Sequence, residues 1–444
     1  MVDAIEPRVD PNFINEAGDV ITEAVTVTTQ DGYVFDVSNF CLGITLFEDI
    51  FSNVMVGEAL FMDSANLITK VPFQGIEFIT ISYRTPSFVE RIAKSFKVTS
   101  LKDRAFTATD REQMYVLGFM SNEGARDNII NLNQKFSGTT DQVVSKIWQD
   151  HLTLPRFLSD SASRTTLVMP QSRQSSSITF VAPNWTPLQT INWVASRSFD
   201  VGTELNGFQL FESNKAFYFR NLDELIETQD TARDVFARYV YYPGAATVEI
   251  PRSNVLYTKP ELLKQYSIVR KIKPFTQFDI LEWQNRAFVA GKLITHDIAL
   301  KTYNEYFFDY YNPYTKEITV NKNPTAFPQT VMRNADCMQT MRTKQYKLHN
   351  EMQDPLFEKW VLQRNSLLYE LSGVNLEIEV PGRTDIEVGR LVDFVYPKSL
   401  DKMEGTTAEW VNDEFMTARY LVTSIRHDFS LNTHTMYLEL ARYI

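Results

Sequence analysis

Apolar and polar positions alternate with period two along much of this chain, and the stretches that break the alternation repeat with a helical period instead. Near the start, "EAVTVTTQDGYVFDV" places Val25 and Val27, then Phe35 and Val37, on one face of a strand pair. Asp31-Gly32 suggests a two-residue hairpin turn, but that turn would set Val27 opposite Asp36. A longer or bulged turn that sets Val27 opposite Val37 and Thr29 opposite Phe35 keeps the face apolar, and is the expectation. In "VGEALFMDSANLITKVPFQGIEFITISY" the unbroken apolar run Ala59–Met62 predicts a strand covered on both faces. Asp63, Ser64, Asn66, Pro72 and Gly75 follow as a turn-prone linker. Ile79, Ile81 and Tyr83 then alternate with Thr80 and Ser82. "SFKVTSL" and "EQMYVLGFMS" add two more strands, and this all-β unit ends near residue 121.

The period changes after that. "SGTTDQVVSKIWQDHL" gathers Val143, Val144, Ile147, Trp148 and His151 on one helical face, with Thr139 and Gln142 as a capping box. "NWTPLQTINWVASRS" predicts a second helix with Thr186 as N-cap, Pro187 at the first position and Gln189 at the third. The Ser-rich "SDSASRTTLVMPQSRQSSS" between them reads as an exposed loop. "GFQLFESNKAFYFRN" reads as a hairpin turning near Ser213-Asn214, and "YSIVRKIKPF" and "GKLITHDIALKTYNEYFFDYY" as strands. "DPLFEKWVLQRNSLLYELSG" predicts a helix capped by Asp354, with Pro355 first, a stripe of Phe357, Trp360, Val361, Leu368 and Leu371, and Gly373 as the stop. The C-terminal part is β again: "LEIEV", "EVGRLVDFVYP", and the long hairpin "YLVTSIRHDFSLNTHTMYLELA". A four-residue loop at Ser430–Thr433 would align Ile425 with Leu438 and Thr423 with Leu440. No fixed-period repeat is visible.

Composition narrows the class. A chain of 444 residues is too long for one ordinary core, which sets a prior of roughly two to four domains. Its 31 Phe and 20 Tyr favour strands and large buried interfaces. A net charge of −11, from 44 basic and 55 acidic residues, argues against a nucleic-acid binder, and no sequence-specific nucleic-acid binding is expected. Cys41 and Cys337 lie far apart, which suits a reducing compartment without a disulfide framework. "MVDAIEPRVDPNF" lacks the features of a secretory leader, and no run of about 18 apolar residues predicts a membrane span. A soluble protein folded in a cytoplasm is the expectation.

Candidate chemistry is sparse. No GxSxG, HExxH, Walker loop, GxGxxG or EF-hand pattern occurs. Ser64 beside Asp63 lacks the flanking glycine of a nucleophile elbow and a nearby histidine, so the pair reads as a turn. The five histidines (His151, His296, His349, His427, His434) show no metal-pair spacing. His296-Asp297 and His427-Asp428 are adjacent in strands and so point to opposite faces. His427 falls opposite Met436 on the apolar face, which favours a packed structural histidine. Glu377 and Glu379 fall on a solvent face, and Asn184-Trp185-Thr186 reads as a helix entry rather than a glycosylation site. No residue is singled out as catalytic, cofactor-binding or metal-ligating; the expectation is a protein without cofactor that is not an enzyme.

With no chemistry to follow, the order of elements becomes informative. "FMDSANLITKVPFQGIEFITISY" resembles the strand–loop–strand of the baseplate central hub protein of contractile-tailed phages of the T-even type, an architecture shared with the type VI secretion spike. "GTTDQVVSKIWQD" and "APNWTPLQTINWVASRS" are similar to that family's insert helices. "TDIEVGRLVDFVYP", "YLVTSIRHDFS" and "THTMYLELA" resemble its closing strands, with Gly389 at a turn before a strand.

The resemblance implies a mainly β fold with α+β insertions, and two similar β-barrel domains per chain joined by a mixed α/β region. The divisions are a polar N-terminal arm (1–20), a first barrel (21–121), a two-helix insert (122–204), a hairpin assigned to the second barrel (205–240), a connecting region (241–345), and a helix with the second barrel (346–444). It further implies a homotrimeric ring that joins the hexameric tail tube to a trimeric cell-puncturing spike, adapting sixfold to threefold symmetry. A channel would be left for genome or tape-measure protein. The implied partners are the tube, the spike, the tape-measure protein and baseplate wedge proteins. The implied location is the virion tail baseplate, assembled in the host cytoplasm. Another barrel-containing adaptor, such as a tube-end or wedge protein, and a carboxylate-based cell-wall hydrolase stay open as alternatives.

Overall fold

The computed structural model describes residues 16–70, 73–86, 91–107, 112–153, 166–170, 176–200, 206–222, 226, 237–241, 265–273, 290–297, 301–309, 339–343, 357–371, 374–398, 412–430 and 432–442. The expected Ser-rich loop falls largely outside them. So do Cys337, His349, the helix cap Asp354-Pro355 and the stop Gly373.

The first β unit holds β1 (Ile21–Thr28), β2 (Val34–Asp36), β3 (Cys41–Asp49), β4 (Val56–Asp63), a short helix α1 (Leu67–Lys70), β5 (Phe78–Arg84), β6 (Arg91–Phe106) and β7 (Gln113–Ser121). The turn after β1 is indeed long, but the register slides by two residues, so that Val27 faces Phe35 rather than Val37. Thr29 pairs with Tyr33 across Gly32, whose φ of +84° suits glycine. The expectation that Ala59–Met62 is covered on both faces is corrected. Ala59 and Phe61 are buried while Leu60 and Met62 are half-exposed, because these strands have a core on one side only.

Next come α2 (Asn122–Asp127), β8 (Lys135–Thr139), α3 (Thr140–Ile147), β9 (Leu167–Val168), β10 (Ser177–Val181), α4 (Pro187–Arg197), β11 (Phe208–Glu212) and β12 (Phe217–Asn221). Both capping boxes form: the Thr139 N–H donates to Gln142 Oε1 at 3.4 Å, and the Gln189 N–H to Thr186 Oγ1 at 3.3 Å. Val143, Val144, Ile147 and Trp148 bury as a stripe against α4 and β12, while His151 stays half-exposed. The β11–β12 hairpin pairs with β9 in its own three-stranded sheet. Phe208, Leu210, Phe217 and Phe219 pack into this middle core, and Phe211 and Leu222 into the core that follows.

The remaining elements are β13 (Ala237–Tyr241), β14 (Ile268–Val269), β15 (Lys271–Ile272), β16 (Ala290–Asp297), β17 (Thr302–Asp309), β18 (Gln339–Thr343), α5 (Phe357–Glu370), β19 (Asn375–Pro381), β20 (Leu391–Val395), β21 (Ala418–Ser430) and β22 (Thr433–Arg442). Strands β16 to β18 form a separate sheet whose Leu293 packs on Val361 and Leu362 of α5. In the closing hairpin Ile425 does face Leu438. A bulge between Val422 and Ser424 moves Val422, not Thr423, opposite Leu440, and Ser430 pairs directly with Thr433.

The architecture is mainly β and mostly antiparallel. One 14-stranded sheet takes in both β units, because β21 pairs with β3 as well as with β20 and β22. Closed barrels, as the resemblance implied, are not seen among the described residues. The free edge of β3 is given to β21 instead of to its own unit, and the second ladder is interrupted at Arg270, between β14 and β15. The seam also mixes the cores, since Phe429 of β21 packs in the first and Ile50 in the second.

Candidate functional site

A cluster of polar side chains lies buried along this seam. Glu48 of β3 projects inward where its ladder meets β21, and His427 Nε2 lies 3.0 Å from its Oε1. His427 Nδ1 lies 3.0 Å from Nε2 of His434 on β22. The Glu48 carboxylate accepts from His427 Nε2–H, and one proton lies between His427 Nδ1 and His434 Nε2, leaving His434 Nδ1 outside the contact. That Nδ1, Glu48 Oε2 and the Tyr83 hydroxyl are buried without a partner. His434 is 0% exposed, stacks on Phe429 at 4.2 Å, and fills space that only a glycine at 382 leaves open. Burial, and then the neighbouring His427, hold the His434 imidazole well below its ordinary range. The facing nitrogens do not converge on a common point, and no trio among the described residues is arranged to hold a metal ion.

The sign of the pH effect follows. An imidazole depressed in the folded state is protonated first in the unfolded chain, so its contribution is complete above about pH 6.5 and is lost as pH falls below that value. Asp49, Asp127 and Glu439, whose carboxyls burial pushes up, act in the opposite sense lower on the pH scale. Urea midpoints between pH 8 and pH 5 should therefore fall below 6.5. A flat profile would contradict the buried neutral imidazole.

A second buried node ties the middle region to the first unit. Glu212, at the end of β11, accepts from the Met55 N–H at 2.7 Å and from the Ser121 hydroxyl, and pairs with the Lys94 ammonium at 2.5 Å. A third ties it to the second unit: Glu387 accepts from Ser213 at 3.0 Å and Tyr218 at 3.1 Å and is clasped by Arg390. Burial and then this carboxylate push the Tyr218 phenol up to about 12.

Other sequence readings resolve plainly. Asp63 is buried at the end of β4, where its oxygens accept from the N–H groups of Ala65 (3.0 Å) and Ile68 (2.9 Å), organising the turn into α1. Asp63→Ala should cost about 1–2 kcal/mol in urea unfolding through these two lost bonds, with the assembly state unchanged. His296 is exposed on β16. His427 does face Met436, and Asp428 points away to pair with Arg426 at 2.9 Å. Burial pushes the Cys41 thiol up to about 11, leaving it unreactive. Glu48 was invisible to sequence reasoning because it lies 379 residues from its histidine, and His434 because its hairpin position alone predicts nothing polar.

On the outer face, one register row crosses the sheet. Tyr437, Arg426, Phe47, Val56, Met120, Lys97, Phe78, Thr28 and Val34 are successive cross-strand partners. Phe47 and Val56 are each 40% exposed and Val34 62%. Arg426 lies over Tyr437 and Lys97 over Phe78.

No helix among the described residues is long and apolar enough to cross a membrane. No protein-family model and no curated protein matches the chain. Solved structures do. A tail protein from Neisseria meningitidis MC58 superposes with TM-score 0.52 at 11% identity, covering 94% of this chain and 96% of its own. The 43 kDa tail protein of prophage MuSo2 from Shewanella oneidensis gives 0.51 at 9% identity, over 95% and 98%. A component of the E. coli type VI secretion system superposes at 0.41, with 8% identity over 91% and 74%, too loosely to carry weight. Over nearly its whole length, then, this chain shares its fold with these two tail proteins.

Proposed function

We propose that the chain is a structural component of a phage-type contractile tail: the baseplate hub, a homotrimeric ring between the tail tube and the cell-puncturing spike. The divisions 21–121 and 346–444 would supply the two barrel-like units of each copy, giving six around an open channel. The observation that carries the reading is the full-length likeness in fold to two phage tail proteins, with both β units fused in one sheet. The outward row of apolar and aromatic residues supports it, since ring packing covers such surfaces. A non-enzymatic role belongs to the same proposal. The acid–base constellation described above, Glu48 with His427 and His434, is 0–1% exposed and out of reach of any substrate.

The test is electron microscopy of the purified full chain, alone and with a trimeric spike. Threefold class averages with six similar lobes around a channel are expected. A monomer that stays monomeric with spike and tube present would overturn the hub reading and leave the tube-end or wedge adaptor. Clearing of cell-wall suspensions by the purified chain would overturn the non-enzymatic part.

A further inference from the structure

The Glu48–His427–His434 chain does more than fill a core, because His434 also holds the N-terminal segment. Residues 16–20 lead into β1 of the first unit yet lie on the second. The His434 N–H donates to the Gly18 carbonyl at 2.7 Å, the Val20 N–H to Asn432 at 2.9 Å, and Arg270 Nη2 to the Ala17 carbonyl at 2.8 Å. On its other side, the His434 carbonyl accepts from the Gly382 N–H at 2.8 Å. One residue thus anchors the crossing segment through its backbone and the β3–β21 seam through its ring.

We propose that this chain of side chains is an acid-sensitive latch: a proton taken up from solvent by the His434 ring frees the 16–20 segment from β22 and loosens the seam between the two β units. One proton lies between His434 Nε2 and His427 Nδ1 and another between His427 Nε2 and Glu48. A further proton on the ring adds a cationic charge where it is walled by Phe429, Tyr83 and Gly382, while Gly18 lies against the His434 backbone carbonyl. The titratable and charged groups facing it from the packed elements are Glu48 on β3, His427 on β21, Tyr83 on β5, Asp19 in the segment and Arg270 beside Gly18. Glu48 favours the extra charge, but through His427; Arg270 opposes it. The shortest way for the new cation to reach water is to displace the thin glycine-bearing backbone bound to its own main chain. The device is local, because β4 to β7 share none of these bonds.

Hydrogen exchange on the full chain at pH 7.5 and pH 5.0, corrected for intrinsic rates, tests this. The amides of Val20, Gly382 and His434 should open at least tenfold more readily at the lower pH, while those of the β4–β7 ladder stay protected. Glu48→Gln keeps an acceptor for His427 and removes the charge that favours protonation, so its release should move to lower pH. His434→Asn should lose the pH dependence; if it does not fold, the Glu48→Gln shift decides alone. Equal acceleration at all amides, no acceleration, or release of Glu48→Gln at the same or a higher pH would overturn the latch, the last being what a weakened packing cluster gives.

Discussion

Glu212→Ala is expected to destabilise the protein by about 3–5 kcal/mol, the range for breaking a buried ion pair from one side. The carboxylate is fully buried and is the shared acceptor of a backbone N–H just before β4, a hydroxyl of β7 and an ammonium of β6. Its removal strands Lys94, only 11% exposed, against the sulfur of Met55 and one remaining carbonyl, that of Ser213 at 2.8 Å. Glu212→Gln should lose less, since an amide oxygen still accepts from Met55 and Ser121. Pairing Glu212→Leu with Lys94→Met should recover much of the loss, because no charge is then left behind. Urea unfolding of the unaltered protein, Glu212→Leu, Lys94→Met and the pair measures the cycle. A single-variant loss under about 1 kcal/mol would show that the node does not bind the middle region to the first unit.

Gly382→Ala is expected to cost about 3 kcal/mol, at the upper end of overpacking losses. An added Cβ would lie 2.1 Å from His434 Cγ and 2.2 Å from Nδ1. The ring cannot retreat, since Phe429 stacks on it and the backbones of Gly382 and His434 are hydrogen-bonded to each other. Combining Gly382→Ala with His434→Ala should give a loss smaller than the sum of the two, because the clash disappears with the ring. Strict additivity in thermal and urea unfolding would mean that the two residues do not meet.

What was legible in the sequence was local. Period-two runs gave β5, β6, β7, β21 and β22. Thr139/Gln142 and Thr186/Gln189 announced two helix starts, because a capping box lies within four residues. Pairing Ile425 with Leu438 followed from keeping one face apolar. The misreadings came from features that residue type does not fix. The Val422–Ser424 bulge shifts a register without changing composition. The run at Ala59–Met62 could not say how many of its faces were covered, and the turn after β1 admitted two registers of the same parity. The polar nodes were out of reach for a different reason: each joins residues brought together only by tertiary pairing, as Glu48 with His427 or Ser213 with Glu387. Even the correct placement of His427 on an apolar face concealed the carboxylate waiting there.

The sharing of β21 between units sets the timetable of folding. A ribosome releases β1 to β7 first, yet the outer edge of β3 has no partner until the last strands emerge, roughly 20–75 s later at ordinary elongation rates. During that interval the nascent chain carries an open edge from Gly43 to Asp49, with the Glu48 carboxylate facing a half-built interior and Phe47 toward solvent. Contacts of such sequence separation make for slow, aggregation-exposed maturation, so the N-terminal unit lacks its closing strand until β21 has emerged. C-terminal truncation before Ala418 should therefore cripple the opposite end of the molecule first.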